Sequence, residues 1–413
     1  MRFLALLLTL GFLCGISQAG DLLAIRAKTV YTGSGEVLNH AVILVDDGKI
    51  VTIGEDLPIE RGIPVLELDD NQVVVPGFVQ AYTRLGSTTR GRNGTDPQLI
   101  ASAGFYPTST LKQFGEAGIV LAGYYPAGRG MPGQASAMRP LPADGTTFVA
   151  KASTYVKLIT SSSKSEKDRI RSIYEEIEKF KTKAEKHKSK YDKAKEKADK
   201  AAKKEKDKAK KKAILDKVGK FTALKPNSKE QAFIDMESGK LPALVSIGNA
   251  GTFLHFKDAL GEKALSYSLR MPISLESDFA NVKDDVGKAG LRVVMDPTIS
   301  VNPGTRQQRN LPNEFVKAGA RLVLIPRSDS SSGAQNWRKD VVNLIKAGLD
   351  EQVALSAMTL EPANLLGMGE THGSLEAGKV ADLLILSGKP FEPASEIEAV
   401  MVDGTFVHGE AGL

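Results

Sequence analysis

Residues 73–87 read VVVPGFVQAYTRLGS, and this stretch decides how the rest of the chain is interpreted. Three consecutive valines form a short apolar run that is typical of a fully buried strand. Pro76-Gly77 ends the run, because proline has no backbone N–H to give to a sheet. The chain then presents Ala81-Tyr82-Thr83-Arg84. The pattern predicts a buried strand, a turn, and a following segment that ends in polar side chains.

Both ends of the chain have the pattern of a small β-sheet domain. The apolar runs 41–45 and 49–54 flank Asp46-Asp47-Gly48, and the runs 399–402 and 405–407 flank Asp403-Gly404. Two β-type runs around Asp-Gly are a strong signal for a hairpin. Between the two ends, strand-like and helix-like segments alternate, which favours a parallel α/β architecture.

Residues 359–386, TLEPANLLGMGETHGSLEAGKVADLLIL, carry the most specific motifs, Pro-Ala-x-x-Leu-Gly and Gly-Ser-Leu-x-x-Gly-Lys-x-Ala-Asp-Leu. Together with 41–54, 73–86 and 118–137, this stretch resembles the amidohydrolase superfamily, most closely its imidazolonepropionase-like branch. The resemblance implies an α/β protein with a distorted TIM (β/α)8 barrel and a small composite β-sandwich built from both chain ends. The expected boundaries are a signal peptide at 1–20, sandwich segments at 21–75 and 371–413, a barrel at 76–370 and an insertion at 164–220.

The resemblance also implies a metal site at the carboxyl ends of the barrel strands. Family members use zinc or a similar divalent ion, held by His-x-His on the first strand, by histidines on the fifth and sixth, and by an Asp on the eighth. Such an ion lowers the pKa of its bound water, and the Asp accepts the proton. Here Tyr82 and Arg84 align with the His-x-His pair, Asn249 stands after the fifth strand, and Asp329 matches the catalytic Asp. A guanidinium cannot coordinate a cation, so we expect a degenerate site without metal or other cofactor.

Other residues do not supply the missing ligands. The five histidines occupy positions that favour structural roles: His40, His187, His255, His372 and His408. Lys157 could stand where two-metal members carry a carboxylated lysine, but a carbamate is unstable without metals. One hypothesis is that the Arg84 guanidinium replaces the metal and pairs with Asp329 beside Tyr82. The alternative is that Arg84 points to solvent and Asp329 caps the following helix.

Residues 164–220 differ from the rest of the chain in charge. They contain 23 basic and 12 acidic residues, a net of +11, so the remainder carries −5 of the total of +6. Apolar residues recur at alternating spacings of three and four, which predicts a helical seam of the coiled-coil type. A single helix of about 50 residues would extend about 75 Å, so we favour a hairpin that bends between 186 and 208. The segment could also be a solvated insertion without a specific role.

The first residues resemble a signal peptide. Met1-Arg2 precedes an apolar run from Phe3 to Ile16, and Ser17-Gln18-Ala19 supplies the small residues of a cleavage site. The run is too short for a membrane span. Cys14, the chain's one cysteine, lies within this segment, and a lipoprotein that uses it is a weaker alternative because Leu13 is large. We expect export, to the periplasm first and to the medium second.

Three functions remain open from the sequence. The first is a catalytically degenerate amidohydrolase that binds a small molecule or an envelope component. The second is an active hydrolase that uses Asp329, with Asp296 or His255 as a further base. The third is an envelope-binding protein that acts through an anionic-surface or coiled-coil contact of 164–220. Nucleic acid is not an expected partner, because an exported chain does not meet it and no phosphate-binding glycine loop is present.

Overall fold

A computed structural model describes residues 22–85 and 93–409, so the predicted signal peptide at 1–20 lies outside the described residues. The strands are β1 Leu23–Tyr31, β2 Val37–Asp46, β3 Lys49–Glu55, β4 Val65–Glu67, β5 Val73–Pro76, β6 Phe78–Thr83, β7 Gly94–Thr95, β8 Ile119–Tyr124, β9 Gly130–Met131, β10 Gly133–Gln134, β11 Ser136–Met138, β12 Val149–Lys151, β13 Val156–Ile159, β14 Ala243–Ser246, β15 Tyr267–Met271, β16 Arg292–Met295, β17 Ser300–Val301, β18 Gln308–Arg309, β19 Arg321–Leu324, β20 Leu383–Leu386, β21 Ile397–Val402 and β22 Thr405–His408. The helices are α1 Ser109–Glu116, α2 Lys164–Lys204, α3 Lys208–Asp216, α4 Ser228–Glu237, α5 Ala250–Leu260, α6 Lys283–Lys288, α7 Leu311–Lys317, α8 Ser331–Lys346, α9 Glu351–Met358 and α10 Leu360–Leu365, with short 3-10 helices at Ala101–Gly104 and Phe279–Val282.

Strands from both ends of the chain form one eight-stranded sheet. The order is β22-β21-β20-β5-β1-β2-β3, and β4 pairs with β1. Both predicted Asp-Gly hairpins are confirmed, with positive φ at both central residues of each turn: 46° and 74° at Asp47 and Gly48, and 48° and 74° at Asp403 and Gly404. These values match the two-residue turns that suit the twist of a hairpin. The two turns touch, since a Cβ on Gly404 would lie 2.9 Å from the Gly48 Cα.

The barrel strands form two further sheets. β13, β14, β15, β16 and β19 pair in parallel in that order, and β6 pairs in parallel with β8. The two sheets are linked through Ala135, whose N–H donates to Tyr155 (2.8 Å) and whose carbonyl accepts from Thr154 (2.9 Å). On the other side, Asp329 after β19 accepts hydrogen bonds from Thr83 and Arg84 after β6. These contacts hold the two sheets together around one large apolar core, in the manner of a distorted α/β barrel.

The Lys-rich segment is one long helix and one short returning helix. α2 has 41 residues, and the chain turns at 205–207 before the nine-residue α3, which packs against α2. The bend lies within the predicted interval of 186–208. α2 begins at Lys164, where the helical segment was predicted to start, and Ile170, Ile173 and Ile177 in its first turns belong to the barrel core. The first turns of α2 are therefore barrel wall, and only its continuation projects as an arm.

A buried charged cluster fastens the barrel to the terminal sheet. Arg139, which follows β11, contacts Asp382 (3.2 Å) and Asp403 (2.6 Å), and His372 Nε2 lies 3.2 Å from the same guanidinium. Burial lowers the pKa of His372, so its imidazole is neutral at pH 7. Among the described residues, no helix is both long and apolar enough to cross a membrane.

Candidate functional site at the barrel mouth

The carboxyl end of the first barrel strand carries an aromatic stack. Tyr82 is half-buried and stacks on Tyr125, which follows the second barrel strand, with ring centroids 3.9 Å apart and an interplanar angle of 20°. Burial raises the pKa of both phenols. Because a neutral phenol is a poor metal ligand at pH 7, the stack is a neutral platform and not a coordinating pair.

Asp329 lies in the loop between the eighth strand, which ends at Leu324, and α8, and it is beside Arg84. Its two carboxylate oxygens accept hydrogen bonds from Thr83 Oγ1 (2.5 Å) and from the backbone N–H of Arg84 (2.7 Å). The residue keeps an exposed surface, but crowding around the carboxylate raises its pKa above the ordinary value, and the bonds from Thr83 and Arg84 partly oppose this. Arg84 and Asp329 are therefore in contact, but the contact is made by the backbone amide of Arg84.

The predicted guanidinium contact of Arg84 is not made. Within the described residues no ion pair joins its side chain to Asp329, and Arg84 is exposed. The alternative role for Asp329 also needs correction, because the N-cap of α8 is Ser330, whose side chain accepts from Gly333 (3.1 Å). The carboxylate instead fastens the last strand to the first, since backbone geometry can satisfy an anion as well as a guanidinium can.

Asn249, the predicted position of a fifth-strand ligand, is the N-cap of α5. Its Oδ1 accepts from the Thr252 N–H (2.8 Å) and the Thr252 hydroxyl (3.0 Å). This is the ordinary role of asparagine at a helix start. Ser246, at the end of the fifth strand itself, has a buried Oγ that lacks a hydrogen-bond partner of normal geometry in the described part of the chain, although its proximity slightly lowers the pKa of Tyr82.

One cation at this site is a guanidinium that the sequence analysis did not single out. Arg270 on the sixth strand binds both oxygens of Asp296, which follows the seventh, at 2.8 and 2.9 Å. Arg270 also donates to the Val294 carbonyl (3.2 Å), and its guanidinium carbon lies 5.7 Å from the Tyr82 ring centroid. Both side chains are nearly buried, at 11% and 13% exposed. The sequence signal that could have identified this ion pair is an arginine on one apolar strand and an aspartate at the end of the next.

Lys157 on the fourth strand approaches the same mouth. Its Nζ lies 4.1 Å from the Tyr125 ring centroid and donates to the Pro126 carbonyl at 3.3 Å. Burial, and secondarily the charge of Arg84, lowers its pKa to about 8. Beneath it, the Tyr155 hydroxyl donates to the Ala81 carbonyl (3.0 Å), which fixes the first strand against the fourth.

The histidines lie away from this cluster. His40 is exposed on the terminal sheet, His187 is on the arm, His408 is in β22, and His372 belongs to the Arg139 cluster. His255 is partly buried on α5, one turn before Asp258. The structure therefore does not bring His255 to Asp329 as a second base.

Sequence similarity identifies the family of this chain. The sequence model of the amidohydrolase family matches residues 73–411. The chain belongs to the amidohydrolase family. No curated protein matches it in sequence. Among solved structures, this family member is similar to an amidohydrolase from Thermotoga maritima MSB8, with 19% identity, a TM-score of 0.72, and coverage of 94% of this chain and 100% of the other.

More distant similarity extends to characterised hydrolases of the same fold. A molinate hydrolase has 14% identity, a TM-score of 0.52, and coverage of 94% and 95%. A Xaa-Pro dipeptidase with bound methionine has 12% identity, a TM-score of 0.52, and coverage of 94% and 100%. At these identities the similarity establishes the fold of this amidohydrolase-family protein. Its chemistry has to be argued from its own residues.

The residues of this amidohydrolase-family protein do not fit the divalent ion that its family implies. No group of three or more His, Cys, Asp or Glu suited to a metal occurs in residues 22–85 and 93–409. The sequence of 86–92, GSTTRGR, also contains none of these residue types. Both oxygens of Asp329 and both of Asp296 accept hydrogen bonds from protein donors. The strand ends thus carry positively charged side chains, whereas a metal site needs ligand atoms with free electron pairs.

Proposed function

We propose that this exported member of the amidohydrolase superfamily no longer hydrolyses C–N bonds with a metal and instead binds a ligand at its barrel mouth. The observation that carries the proposal is the buried Arg270–Asp296 pair, in which one guanidinium nitrogen contacts both carboxylate oxygens. The pair places a guanidinium and its own carboxylate partner at the strand ends, where family members would hold an ion. Tyr82, Arg84 and Asn249 at the positions of ligands support the same conclusion, because each has another role or the wrong chemistry.

Metal analysis of the full-length mature protein tests this function. Protein purified without chelators should contain far less than one equivalent of zinc, manganese, iron or cobalt by plasma mass spectrometry. Adding zinc should neither create hydrolysis of amide or lactam substrates nor raise the unfolding temperature. One tightly bound ion per chain would overturn the proposal.

A second candidate is a hydrolase that uses Asp329 without a metal. The raised pKa of Asp329 favours this role, since a general base works best when its pKa approaches the working pH. The bonds from Thr83 and Arg84 oppose it, because they occupy both carboxylate oxygens. Asp329→Asn separates the two: it should abolish turnover if Asp329 is a base, and leave ligand binding if the site only binds.

A third candidate rests on the arm formed by α2 beyond Ile177 and by α3. Its lysines are mostly exposed, and such a charged projection suits an anionic envelope polymer. Because 164–177 contributes to the core, deletion of 164–220 would damage the barrel. Exchange of six exposed arm lysines for Gln is the sharper variant, with six lysines exchanged elsewhere as the control. Binding to dextran sulfate, used as an anionic probe polymer, that persists in the arm variant, or at 0.5 M salt, would exclude this candidate.

Export to the periplasm is part of the proposal and has its own test. Intact-mass analysis of protein from the native host should give a chain that begins at Gly20, after cleavage behind Ala19. Fractionation should place it with periplasmic markers, and recovery in the culture medium would favour secretion. A chain that retains Met1 in the cytoplasm would contradict export.

A further inference from the structure

The barrel mouth contains a buried cation, Lys157. The residue is only 4% exposed, and no carboxylate lies within ion-pair distance of its Nζ in the described residues. Its ammonium group has three N–H donors, yet within the same residues it makes one hydrogen bond, to Pro126, and faces the Tyr125 ring. A buried charge that lacks a counter-ion is costly, so the free protein holds a position that an anion would stabilise.

The charges around Lys157 do not balance. Arg84 is close enough to lower the pKa of Lys157, so two cations share this part of the mouth. Arg270 is neutralised by Asp296, and within residues 22–85 and 93–409 Asp329 is the carboxylate that interacts with Arg84. In this described part of the chain, two cations face one carboxylate, which leaves one positive charge unmatched. This excess suits a monoanion better than a phosphate dianion.

The uncharged neighbours of Lys157 are aromatic rings and a hydroxyl. Tyr82 and Tyr125 are half-buried and stacked on each other, with the Lys157 ammonium over the Tyr125 ring and the Arg270 guanidinium over the Tyr82 ring. Ser246 adds a hydroxyl that lacks a partner of normal geometry among the described residues. A hydroxyl donor and a net positive charge together match a carboxylate better than a neutral amide.

We infer that Lys157 and Arg84, beside the Tyr82–Tyr125 stack, form a binding site for a small carboxylate ligand. This inference rests on the proposed function, because a metal ion in the same place would add positive charge and would itself hold the carboxylate. The carboxylate bonds to the Lys157 ammonium and to the Arg84 guanidinium. No covalent step is involved.

The experiment uses benzoate as the probe and benzamide as its neutral isostere, with the mature protein, by isothermal titration calorimetry at pH 7. Benzoate should bind and benzamide should not. Lys157→Met should weaken benzoate binding about tenfold or more, the scale of one lost charge-assisted hydrogen bond. Arg84→Met should weaken it as well. The matched control is Lys151→Met, because the Lys151 ammonium also donates to backbone carbonyls, those of Leu366 and Gly367.

Two readouts keep the test independent of folding defects. Lys157→Met should not be less stable than the parent at pH 7, because it removes an unpaired buried charge. In the parent, benzoate affinity should fall by up to about tenfold per pH unit above pH 8, as the free lysine loses its proton. Equal binding of benzamide, or benzoate binding unchanged in Lys157→Met, would overturn the inference. Either result without bound metal leaves the proposed function standing, whereas one metal ion per chain refutes that function instead.

Discussion

The pair Arg270–Asp296 gives the most direct test of how the barrel mouth is held together. Arg270→Met keeps most of the side-chain volume but leaves Asp296 almost buried, with the Ile273 N–H (3.1 Å) as its remaining donor. Removing one partner of a buried ion pair costs about 3–5 kcal/mol, because the other charge stays desolvated. We expect a loss of about 3 kcal/mol in the free energy of unfolding, since one donor to Asp296 remains.

Urea denaturation followed by circular dichroism measures this loss. The double variant Arg270→Met/Asp296→Leu should recover to within about 1 kcal/mol of the parent, because a well-packed apolar pair replaces a buried ion pair at little cost. The coupling energy between the two positions should then exceed about 2 kcal/mol. The matched control is Arg26→Met, which breaks a pair with Glu67 whose side chains are 48% and 57% exposed. That change should cost about 0–1 kcal/mol.

A loss in Arg270→Met no larger than in Arg26→Met would refute this account of the mouth. A double variant as unstable as the single one would refute it too, because the instability would then come from lost packing. Neither outcome depends on identifying the ligand.

Three further predictions concern the barrel wall and the mouth. Ile173→Ala should lower the free energy of unfolding by about 2–5 kcal/mol because Ile173 is fully buried, whereas Leu215→Ala on the exposed α3 should change it by no more than about 0.5 kcal/mol. Equal losses in urea titrations would contradict the assignment of the first turns of α2 to the barrel wall. Thr83→Val should lower the free energy of unfolding by about 1.5–3 kcal/mol, because it removes a charge-assisted hydrogen bond to Asp329. An unchanged urea midpoint would show that the hydrogen bond from the Arg84 backbone amide is enough to hold Asp329. The pKa of Lys157 is about 8 in the folded protein against an ordinary value of 10.5, so the unfolded chain binds more protons between these two values. The free energy of unfolding of the parent relative to Lys157→Met should therefore rise with pH across that window and stay flat below it. A difference that does not change with pH would be inconsistent with the lowered pKa.

The features that could be predicted from the sequence are those that depend on local chemistry or on a family motif. The two Asp-Gly hairpins follow from the conformations that Asp and Gly tolerate, and both occur as expected. The family fold follows from the motifs in 359–386, and Asp329 follows the eighth strand.

The features that could not be predicted depend on which atoms meet across the barrel. The approach of Arg84 to Asp329 was foreseeable, but the donor is its backbone amide and not its guanidinium. Arg270 and Asp296 are 26 residues apart, and their pairing follows from the register of two parallel strands. The apolar seam of α2 has the same spacing whether it packs on a barrel or on a partner helix, so spacing could not locate the boundary near Ile177.

The eight-stranded sheet has a consequence for the order in which the chain can mature. β5, near the amino end, pairs with β20, so that Val74 lies opposite Ile385. This pairing cannot form until almost all of the polypeptide has left the ribosome. The edge of β5 that pairs with β20 therefore stays unpaired for nearly the whole of translation. The segment that contains β20, β21 and β22 therefore closes the sheet only after the rest of the chain has been made.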